Sequence, residues 1–355
     1  MIITITMNPA IDKTVQVQEL KIGALNRIAK VHEDAGGKGI NVSKTIRSLG
    51  GESHAMGFLG GMAGWQIEHC LDQLFIRHAF VRIHEGTRTN QKVVDALGHV
   101  TELNEPGPEV SESELAQLFT NLEKTLKVGD YVVLCGSLPK GVPADTYARL
   151  VHLIHEKSAF AFVDADGESL RLALEEGPDV VKPNLDELTR YMEQSGALPA
   201  LQEEATRLEV TCEVVQGMRT PAEAVNMHCD LKEELSQERY TQVALAILMG
   251  KQLQKKGIRE VIVSLGEEGA VFLYEKGTYY IPALTVDAAS TVGAGDALVA
   301  AYTLASDRGA SDLAKMSLSV AASAGAVTTK GTSPAEKAVV DALLPEVKIL
   351  RLECP

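Results

Sequence analysis

The chain has 355 residues, which is enough for two or three domains of ordinary size or for one large α/β domain with an insertion. Its 45% hydrophobic and 23% charged residues exclude wholesale disorder, and its net charge of −14 argues against binding along a nucleic-acid backbone. No apolar run reaches the roughly 18–20 residues that span a bilayer, and residues 1–6 indicate a strand rather than a signal peptide. We therefore expect a cytoplasmic protein with no membrane or nucleic-acid partner.

Short apolar strands alternate with longer helical stretches along most of the chain. The predicted strands are residues 1–6, 53–58, 80–84, 91–95, 99–103, 131–135, 159–164, 179–181, 260–265, 269–274 and 278–281. The predicted helices are residues 41–49, 64–75, 111–126, 143–157, 168–175, 296–307, 311–328 and 334–343. This alternation is typical of a mostly parallel sheet with helices on both faces, and it predicts one doubly wound α/β domain over residues 1–355.

Three segments depart from that alternation. The polar β-like stretches at about 12–33 and 80–103 predict a small β sheet that stands off the main body as a lid. Residues 195–240 carry nine acidic and four basic side chains and no strand signal, which predicts a solvent-exposed insertion with amphipathic helices at 198–212 and 222–235. A regulatory or partner-binding role for this insertion is the alternative. The five scattered cysteines predict neither a disulfide framework nor a zinc site.

A glycine-rich segment leads into the predicted helix at 296–307. Gly293, Ala294 and Gly295 would leave several backbone N–H groups unpaired at the start of this helix, where its dipole also favours an anion. Asp296 would lie at the mouth of that anion site, where a carboxylate can accept the proton of an attacking hydroxyl group. Simple capping of the helix is the alternative role for Asp296. Gly293 does not begin a dinucleotide fingerprint, because the sixth position is Leu298, and Gly37-Lys38-Gly39 does not match a P-loop.

A second glycine-rich segment and a carboxylate occur near the N-terminus. Gly37 lets the backbone approach a ligand closely, while Lys38 and Asn41 offer a charge and an amide; a bare turn is the alternative. The segment Asn8–Asp12 is predicted to end the first strand with the carboxylate of Asp12, and the carboxyl ends of parallel strands are where ligands bind in open α/β sheets. These residues are candidates for the binding of a small polar ligand.

Taken in order, these motifs resemble those of the ribokinase/PfkB family of carbohydrate kinases. The motifs are Asp12, the GGKGIN segment Gly36–Asn41, the KPNLDE segment Lys182–Glu187 and the TVGAGD segment Thr291–Asp296. The resemblance runs from residue 1 to about residue 333, apart from the insertion. Three further segments, Asn8–Val15, Thr87–Asn90 and Gly136–Lys140, resemble the branch that contains 1-phosphofructokinase and tagatose-6-phosphate kinase.

The resemblance implies a ribokinase-like fold with a β lid and phosphoryl transfer from Mg²⁺-ATP to a sugar hydroxyl. It assigns Asp296 as the base, with Gly293, Ala294 and Gly295 as the anion hole. The substrate-binding residues it implies are Asp12, Gly37, Lys38, Asn41, Arg88, Asn90 and Ser137. Among them Arg88 would hold the substrate phosphate, and Lys38 and Ser137 are further phosphate candidates for which structural roles stay open.

For the nucleotide, the resemblance implies Lys182, Asn184, Glu187, Ser264, Gly266, Gly269 and Thr291, with Asn184 and Glu187 orienting the waters around Mg²⁺. It favours fructose 1-phosphate as the acceptor. Tagatose 6-phosphate or another phosphosugar, and a sugar-phosphate-binding regulator without catalysis, are the alternatives. The resemblance also implies a homodimer through the lid. Arg27 would then reach a phosphate across the dimer or simply face solvent.

Overall fold

A computed structural model describes residues 1–216 and 228–353. Its strands are β1 Ile2–Thr6, β2 Ala10–Gln16, β3 Lys30–Gly36, β4 Ser53–Leu59, β5 Arg77–Arg82, β6 Arg88–Val94, β7 Val100–Asn104, β8 Tyr131–Cys135, β9 Phe160–Asp164, β10 Val180–Val181, β11 Thr211–Gln216, β12 His228–Asp230, β13 Glu260–Ser264, β14 Ala270–Tyr274, β15 Gly277–Ile281 and β16 Lys348–Glu353. Its helices are α1 Lys38–Ser48, α2 Gly61–Gln73, α3 Glu112–Thr125, α4 Thr146–Glu156, α5 Gly167–Glu175, α6 Leu185–Gln194, α7 Leu198–Arg207, α8 Leu231–Glu234, α9 Gln237–Lys255, α10 Ala294–Asp307, α11 Asp312–Val327 and α12 Lys337–Leu343. In this part of the chain, no helix combines the length and apolarity needed to cross a membrane.

The main sheet has the strand order β12-β11-β16-β15-β14-β13-β10-β9-β8-β1-β4-β5. The seven strands from β13 to β5 run parallel, and the other five extend the sheet in antiparallel fashion. Successive side chains of β8 enter different apolar clusters: Val132 and Leu134 pack on one face, Val133 on the other. Both faces are therefore covered, and the predicted doubly wound α/β fold is confirmed.

A second sheet of four strands, in the order β3-β2-β6-β7, forms the lid. Its own apolar cluster is small and consists of Val15, Val17 and Val93, with Leu20 packed against them. The predicted boundary at residue 80 is wrong, because β5 pairs in parallel with β4 and belongs to the main sheet. The lid takes only the strands β6 and β7 from that segment.

The segment predicted as an exposed helical insertion contains strands and buried side chains. After α7 the chain forms β11, which pairs antiparallel with the C-terminal strand β16 over six residues. Cys212 is buried and Val214 packs against the main core, whereas Thr211 is exposed, and this alternation suits an edge of the sheet. The predicted helix at 198–212 therefore ends early, at Arg207. The partner strand lies more than a hundred residues away in sequence, so no local pattern could indicate this pairing.

The second helix predicted there, at 222–235, is also only partly correct. Residues 222–227 lie outside the described residues, His228–Asp230 forms β12, and only Leu231–Glu234 is helical. Cys212 is disulfide-bonded, which the scattered cysteines did not predict. The described part of this segment is therefore integrated into the fold rather than attached to its surface.

Because α7 packs against the core, we predict that substitutions at two neighbouring residues of this helix differ greatly in their effect on the free energy of unfolding. Leu201 is 4% exposed and belongs to the main apolar cluster, whereas the next residue, Gln202, is exposed. We expect Leu201→Ala to lower the free energy of unfolding by about 2–5 kcal/mol, since it leaves a cavity in the core. Gln202→Ala should change it by less than about 0.5 kcal/mol. Urea denaturation of both variants measures this, and equal stability would mean that α7 is dispensable for the core.

Candidate active site

The candidate site lies where the parallel strands end. Asp164 ends β9, Gly136 follows β8, and Lys182 follows β10, so these loops meet at the carboxyl edge of the sheet. The lid reaches the same edge because β2 begins directly after the loop that leaves β1. The sequence predicts ligand-binding residues after β8 (Ser137), after β10 (Lys182) and on β2 (Asp12), but none at the end of β9.

Asp296 lies in the first turn of α10 and is 8% exposed. Gly293 immediately precedes the helix in the left-handed conformation, with φ of 85°, which a residue with a side chain adopts at a cost. The Asp296 Oδ2 atom accepts a hydrogen bond of 2.8 Å from Nδ2 of Asn41 on α1. The structure thus brings together a carboxylate and an amide that lie 255 residues apart in sequence.

Burial raises the pKa of Asp296 to about 6, and the nearby charge of Asp164 adds to the increase. The hydrogen bond from Asn41 and the charges of Lys38 and Lys182 act in the opposite direction. A carboxylate whose pKa lies just below neutrality is ionised at pH 7 and still basic enough to accept a proton. These properties suit a general base.

Two lysines share one buried carboxylate beside Asp296. The Nζ atoms of Lys38 and Lys182 both lie 3.3 Å from Oδ1 of Asp164, whose side chain is only 1% exposed. Burial would raise the pKa of Asp164, but the two lysines outweigh it and hold that pKa below its ordinary value. A Cβ at Gly295 would lie 3.6 Å from Lys182 Nζ, so this positive charge borders the start of α10. The arrangement is suited to a polyanion such as a triphosphate.

Sequence reasoning did not assign Asp164 a role, although its position at the end of a parallel strand is a usable signal. Lys38, a candidate for the substrate phosphate with a structural role left open, forms an ion pair with Asp164. The charges of Asp164, Asp296 and Glu187 outweigh the effect of burial and raise the pKa of Lys38, so this ammonium group stays charged.

The carboxylate of Asp12 lies on the lid. The prediction that it ends the first strand is wrong, because β1 stops at Thr6 and Asp12 belongs to β2. Its Oδ1 atom accepts a hydrogen bond of 3.2 Å from Nδ2 of Asn90 on β6, and burial raises its pKa. A Cβ at Gly36 would lie 2.1 Å from Asp12 Oδ2, so only glycine lets the backbone pass this carboxylate.

Gly37 follows Gly36 and begins α1, with φ of 109°. This left-handed conformation turns the chain from the lid strand β3 into the helix that carries Lys38 and Asn41. The Gly36–Asn41 segment therefore connects the lid to the body of the protein.

Arg88 lies at the first residue of β6 and is held by two backbone carbonyl groups. Its Nη1 atom donates to O of Glu105 at 2.9 Å and its Nη2 atom to O of Asn8 at 3.1 Å. Nδ2 of Asn8 also donates to Oγ of Ser137 at 3.4 Å, so Asn8 links two of the predicted phosphate ligands. Sequence reasoning quoted Asn8 within a motif but gave it no role. A guanidinium group has five N–H donors, so Arg88 retains donors for an anion.

Several buried polar atoms around this site have no hydrogen-bond partner among the described residues. They are Oδ1 of Asn8, Oδ1 of Asn41, Oδ1 of Asn90 and Nε of Arg88. A buried polar atom without a partner is costly, at about 1–3 kcal/mol, and native proteins contain few of them. The three asparagines hydrogen-bond to Ser137, Asp296 and Asp12, and Arg88 donates to the backbone of Asn8, so these unpartnered atoms lie where a polar ligand would be expected to bind.

The predicted magnesium residues form a reciprocal helix cap. Oδ1 of Asn184 accepts from N of Glu187 at 2.8 Å, and Oε2 of Glu187 accepts from N of Asn184 at 2.8 Å. This capping box explains the three-residue spacing structurally, and it leaves Oε1 of Glu187 outside the box. Over the described residues, no cluster of three or more His, Cys, Asp or Glu side chains is arranged to hold a metal ion.

The remaining nucleotide candidates lie beside this cap. Asn184 pairs with Ser264 in an isolated parallel bridge, and a single helical turn at Gly266–Glu268 follows. A Cβ at Gly269 would lie 2.0 Å from O of Ile281, so the shape of the turn itself requires this glycine. Gly266 is also left-handed, with φ of 61°. Thr291 is exposed at the approach to α10. Arg27 is exposed on the loop of the lid that joins β2 to β3.

The pKa of Asp296 predicts the acid limb of the pH profile. If its carboxylate must be ionised, kcat/KM should rise with pH through about 6 and level off above it, since kcat/KM reports groups of the free enzyme. Asn41→Ala removes the hydrogen bond that lowers this pKa, so the limb should move to higher pH. If the acid limb came from protonation of a phosphorylated substrate instead, it would lie at the same pH in the wild type and in Asn41→Ala. A limb that stays in place in Asn41→Ala would contradict this assignment.

The chain is similar to known proteins over almost its whole length. The chain is 30% identical to a 1-phosphofructokinase of Bacillus subtilis over 356 aligned residues, covering 99% of this chain and 100% of the relative. It is also 30% identical to a 1-phosphofructokinase of Borreliella burgdorferi over 312 residues, with coverage of 87% and 86%. The crystal structure of Escherichia coli phosphofructokinase-2 in complex with substrates and products superimposes with a TM-score of 0.79 at 25% identity, covering 97% and 98% of the two chains.

A family model described as pfkB family carbohydrate kinase matches residues 1–217 and 229–338, which is most of the chain. The residues that it leaves unmatched within this span fall inside the segment predicted as an insertion. The site geometry, the two relatives and this match lead to one conclusion: the chain belongs to the pfkB family of carbohydrate kinases.

Proposed function

We propose that this sugar-phosphate kinase transfers the γ-phosphoryl group of ATP to a hydroxyl group of fructose 1-phosphate, giving fructose 1,6-bisphosphate and ADP. The observation that carries the proposal is the pairing of a buried carboxylate at a helix N-terminus with unpartnered polar atoms beside Asp12 and Arg88. The names of the two 1-phosphofructokinase relatives favour fructose 1-phosphate over other phosphosugars.

The transfer needs a base, an anion site and two positioned substrates. The acceptor hydroxyl attacks the γ-phosphorus while its proton passes to the Asp296 carboxylate, and the bond between that phosphorus and the bridging oxygen of ADP breaks. The N–H groups of Gly293, Ala294 and Gly295, with Lys182, stabilise the negative charge on the transferred group. Because the transition state is loose, positioning and charge stabilisation contribute more than basicity does.

Different residues would bind the hydroxyl groups and the phosphate group of the sugar phosphate. Asp12, Asn41 and Asn90 offer a carboxylate and amide oxygens to the hydroxyl groups, with the free Oδ1 atoms of both asparagines available as acceptors. Arg88 and Ser137 would hold the phosphate, since a guanidinium group matches phosphate oxygens and Asn8 keeps the two residues together.

The residues at the proposed nucleotide site suit a Mg²⁺ ion that they contact through water molecules rather than as direct ligands. Mg²⁺ usually keeps several waters and binds to one or two carboxylates together with substrate phosphates. Oε1 of Glu187, outside the capping box, is a suitable acceptor for such a water, and Asn184 lies on the same helix turn. When bound, the ion would neutralise charge on the β- and γ-phosphates.

The decisive experiment measures ADP release from Mg²⁺-ATP with four acceptors: fructose 1-phosphate, tagatose 6-phosphate, fructose 6-phosphate and unphosphorylated fructose. We expect the highest kcat/KM with fructose 1-phosphate and little turnover of fructose, because Arg88 would have no phosphate to bind. Preference for tagatose 6-phosphate would assign the alternative activity within the same family. Binding of a phosphosugar without turnover of any acceptor would indicate a regulator and refute the kinase assignment.

We also propose that the lid forms a homodimer. Three large apolar side chains on the lid are mostly exposed to solvent: Ile22 is 98% exposed, Leu25 79% and Leu97 82%. Large exposed apolar side chains on one small sheet favour a protein–protein interface, and a four-stranded sheet with a small core needs such cover. Arg27 lies on the same loop, close to Leu25, and in a dimer it would be available to the partner's phosphate site.

Light scattering after size exclusion tests the dimer. The wild type should have twice the mass of one chain, and Leu25→Asp should lower it to the mass of one chain. Val128→Asp is a matched control, since Val128 is 81% exposed outside the lid. A monomeric wild type, or a Leu25→Asp variant that stays dimeric, would contradict the proposed interface.

A further inference from the structure

Lys44 is a buried lysine to which the proposed reaction assigns no role. It lies on α1, is 5% exposed, and its Nζ atom donates a hydrogen bond of 3.0 Å to the carbonyl oxygen of Ala35. Ala35 belongs to the apolar cluster that joins α1 and α2 to the base of the lid. Burying an ammonium group in such surroundings is costly unless charge and hydrogen bonds compensate it. An apolar side chain would fill the same space without that cost.

The position of Lys44 relates the lid to the catalytic end of the site. Asn41, three residues earlier on α1 and therefore on the same face of the helix, donates to Asp296. Lys44 holds Ala35, and the next residue, Gly36, packs directly against the carboxylate of Asp12. One turn of a single helix thus contacts both the proposed base and the strand beside the proposed sugar-binding carboxylate.

The charged groups around Lys44 also relate it to Asp12 and Asp296. The acidic or titratable groups that face it are Asp34, Cys70, Asp12 and Asp296. Those that face Asp12 are the cations Lys92, Lys44 and Arg88 and the anion Asp34. Burial raises the pKa of Asp12, and the charge of Lys44 acts against that increase. Burial lowers the pKa of Lys44 itself, and the charges of Asp34, Asp12 and Asp296 act against that decrease. Lys44 is therefore a buried cation whose charge and the ionised form of Asp12 favour each other.

We propose that Lys44 is a positioning residue of the phosphosugar site, which fixes the lid strand through Ala35 and supplies the buried positive charge behind Asp12. The inference rests on the proposed function, because that function assigns Asp12 to the sugar. Lys44 itself touches no substrate, so its effect reaches the sugar through Gly36 and Asp12.

Equilibrium binding of fructose 1-phosphate without ATP, measured by calorimetry between pH 5 and 8, tests the role. We expect Lys44→Met to weaken binding at pH 7.5 by at least about tenfold, the scale of one lost charge-assisted hydrogen bond. The pH below which binding weakens should also rise, because Asp12 loses a stabilising charge. ATP affinity should change by less than about threefold. Lys44→Arg, which keeps the charge and can donate to Ala35, should restore most of the binding.

A second buried lysine separates this role from general destabilisation. Lys315 is 8% exposed and bonds to Oε1 of Glu260 at 3.1 Å, on a different part of the fold. Lys315→Met should lower the melting temperature and leave phosphosugar binding unchanged. If Lys44→Met does not fold, Lys44→Gln, which keeps a donor but no charge, takes its place with the same expected shift in pH.

The outcomes distinguish this inference from the proposed function. Absence of phosphosugar binding to the wild type would refute the proposed function. Wild-type binding that the Lys44 variants leave unchanged, or that Lys44→Arg fails to restore in a folded protein, would overturn the role of Lys44 alone. Equal weakening of phosphosugar and ATP binding would also overturn it, since it would indicate a general structural defect.

Discussion

Replacement of Asp296 by asparagine should lower kcat by at least about 100-fold while ATP binding is largely retained, the scale expected for loss of a general base. The substitution keeps the shape of the side chain, and its amide oxygen can still accept the hydrogen bond from Asn41. What it removes is the ability to take the proton of the acceptor hydroxyl. The N–H groups at the start of α10 stay in place to bind the phosphates.

The measurement is kcat with saturating Mg²⁺-ATP and fructose 1-phosphate, together with ATP affinity by calorimetry. Asp145→Asn is the matched control, because Asp145 also lies at a helix N-terminus but is exposed and makes no side-chain cap hydrogen bond. It should retain wild-type kcat. Activity of Asp296→Asn within a few-fold of the wild type would remove this residue from the role of base.

The second large effect is expected at Arg88. Arg88→Ala should raise KM for the phosphosugar by roughly 10–150-fold, equivalent to about 1.5–3 kcal/mol for a charge-assisted hydrogen bond to phosphate. KM for ATP should stay nearly unchanged, because the nucleotide residues belong to other elements. Arg88→Lys keeps the charge but not the planar fork and should give an intermediate KM.

Arg88 also bonds to the backbone of Asn8 and Glu105, so a control for local structure is needed. Arg82→Ala provides one, since Arg82 lies on the edge strand β5 and pairs with Glu68 on the surface. It should leave both KM values unchanged. An equal rise in KM for phosphosugar and ATP in Arg88→Ala would indicate a displaced lid rather than a lost phosphate contact.

Most elements of the fold could be predicted because their signals are local. Tyr131–Cys135 is a short apolar run bounded by polar residues, and the structure has a strand with the same bounds. The glycines before Asp296 likewise indicate a helix start without reference to any other residue, and α10 begins there. The capping box of Asn184 and Glu187 is an equally local signal, but the sequence-based prediction did not use it and placed no helix there.

The partners of these residues could not be predicted in this way. The pairing of β11 with β16 depends on a strand at the other end of the chain, and the acidic composition of residues 195–240 gave no sign of it. The same limit applies to Asp12, whose place on the lid depends on where β2 begins rather than on its own neighbours in sequence.

The sequence by itself determined most of the alternating strands and helices, the places where glycine opens a helix N-terminus, and the side chains able to hold a proton or a phosphate. Only the tertiary structure decided which of them meet: Asn41 with Asp296, Lys38 and Lys182 on Asp164, and Asn8 between Arg88 and Ser137. Periodicity and capping act over a few residues, so they specify local conformation. Contacts across 18 to 255 residues arise from how the strands order and pack, which no local pattern encodes.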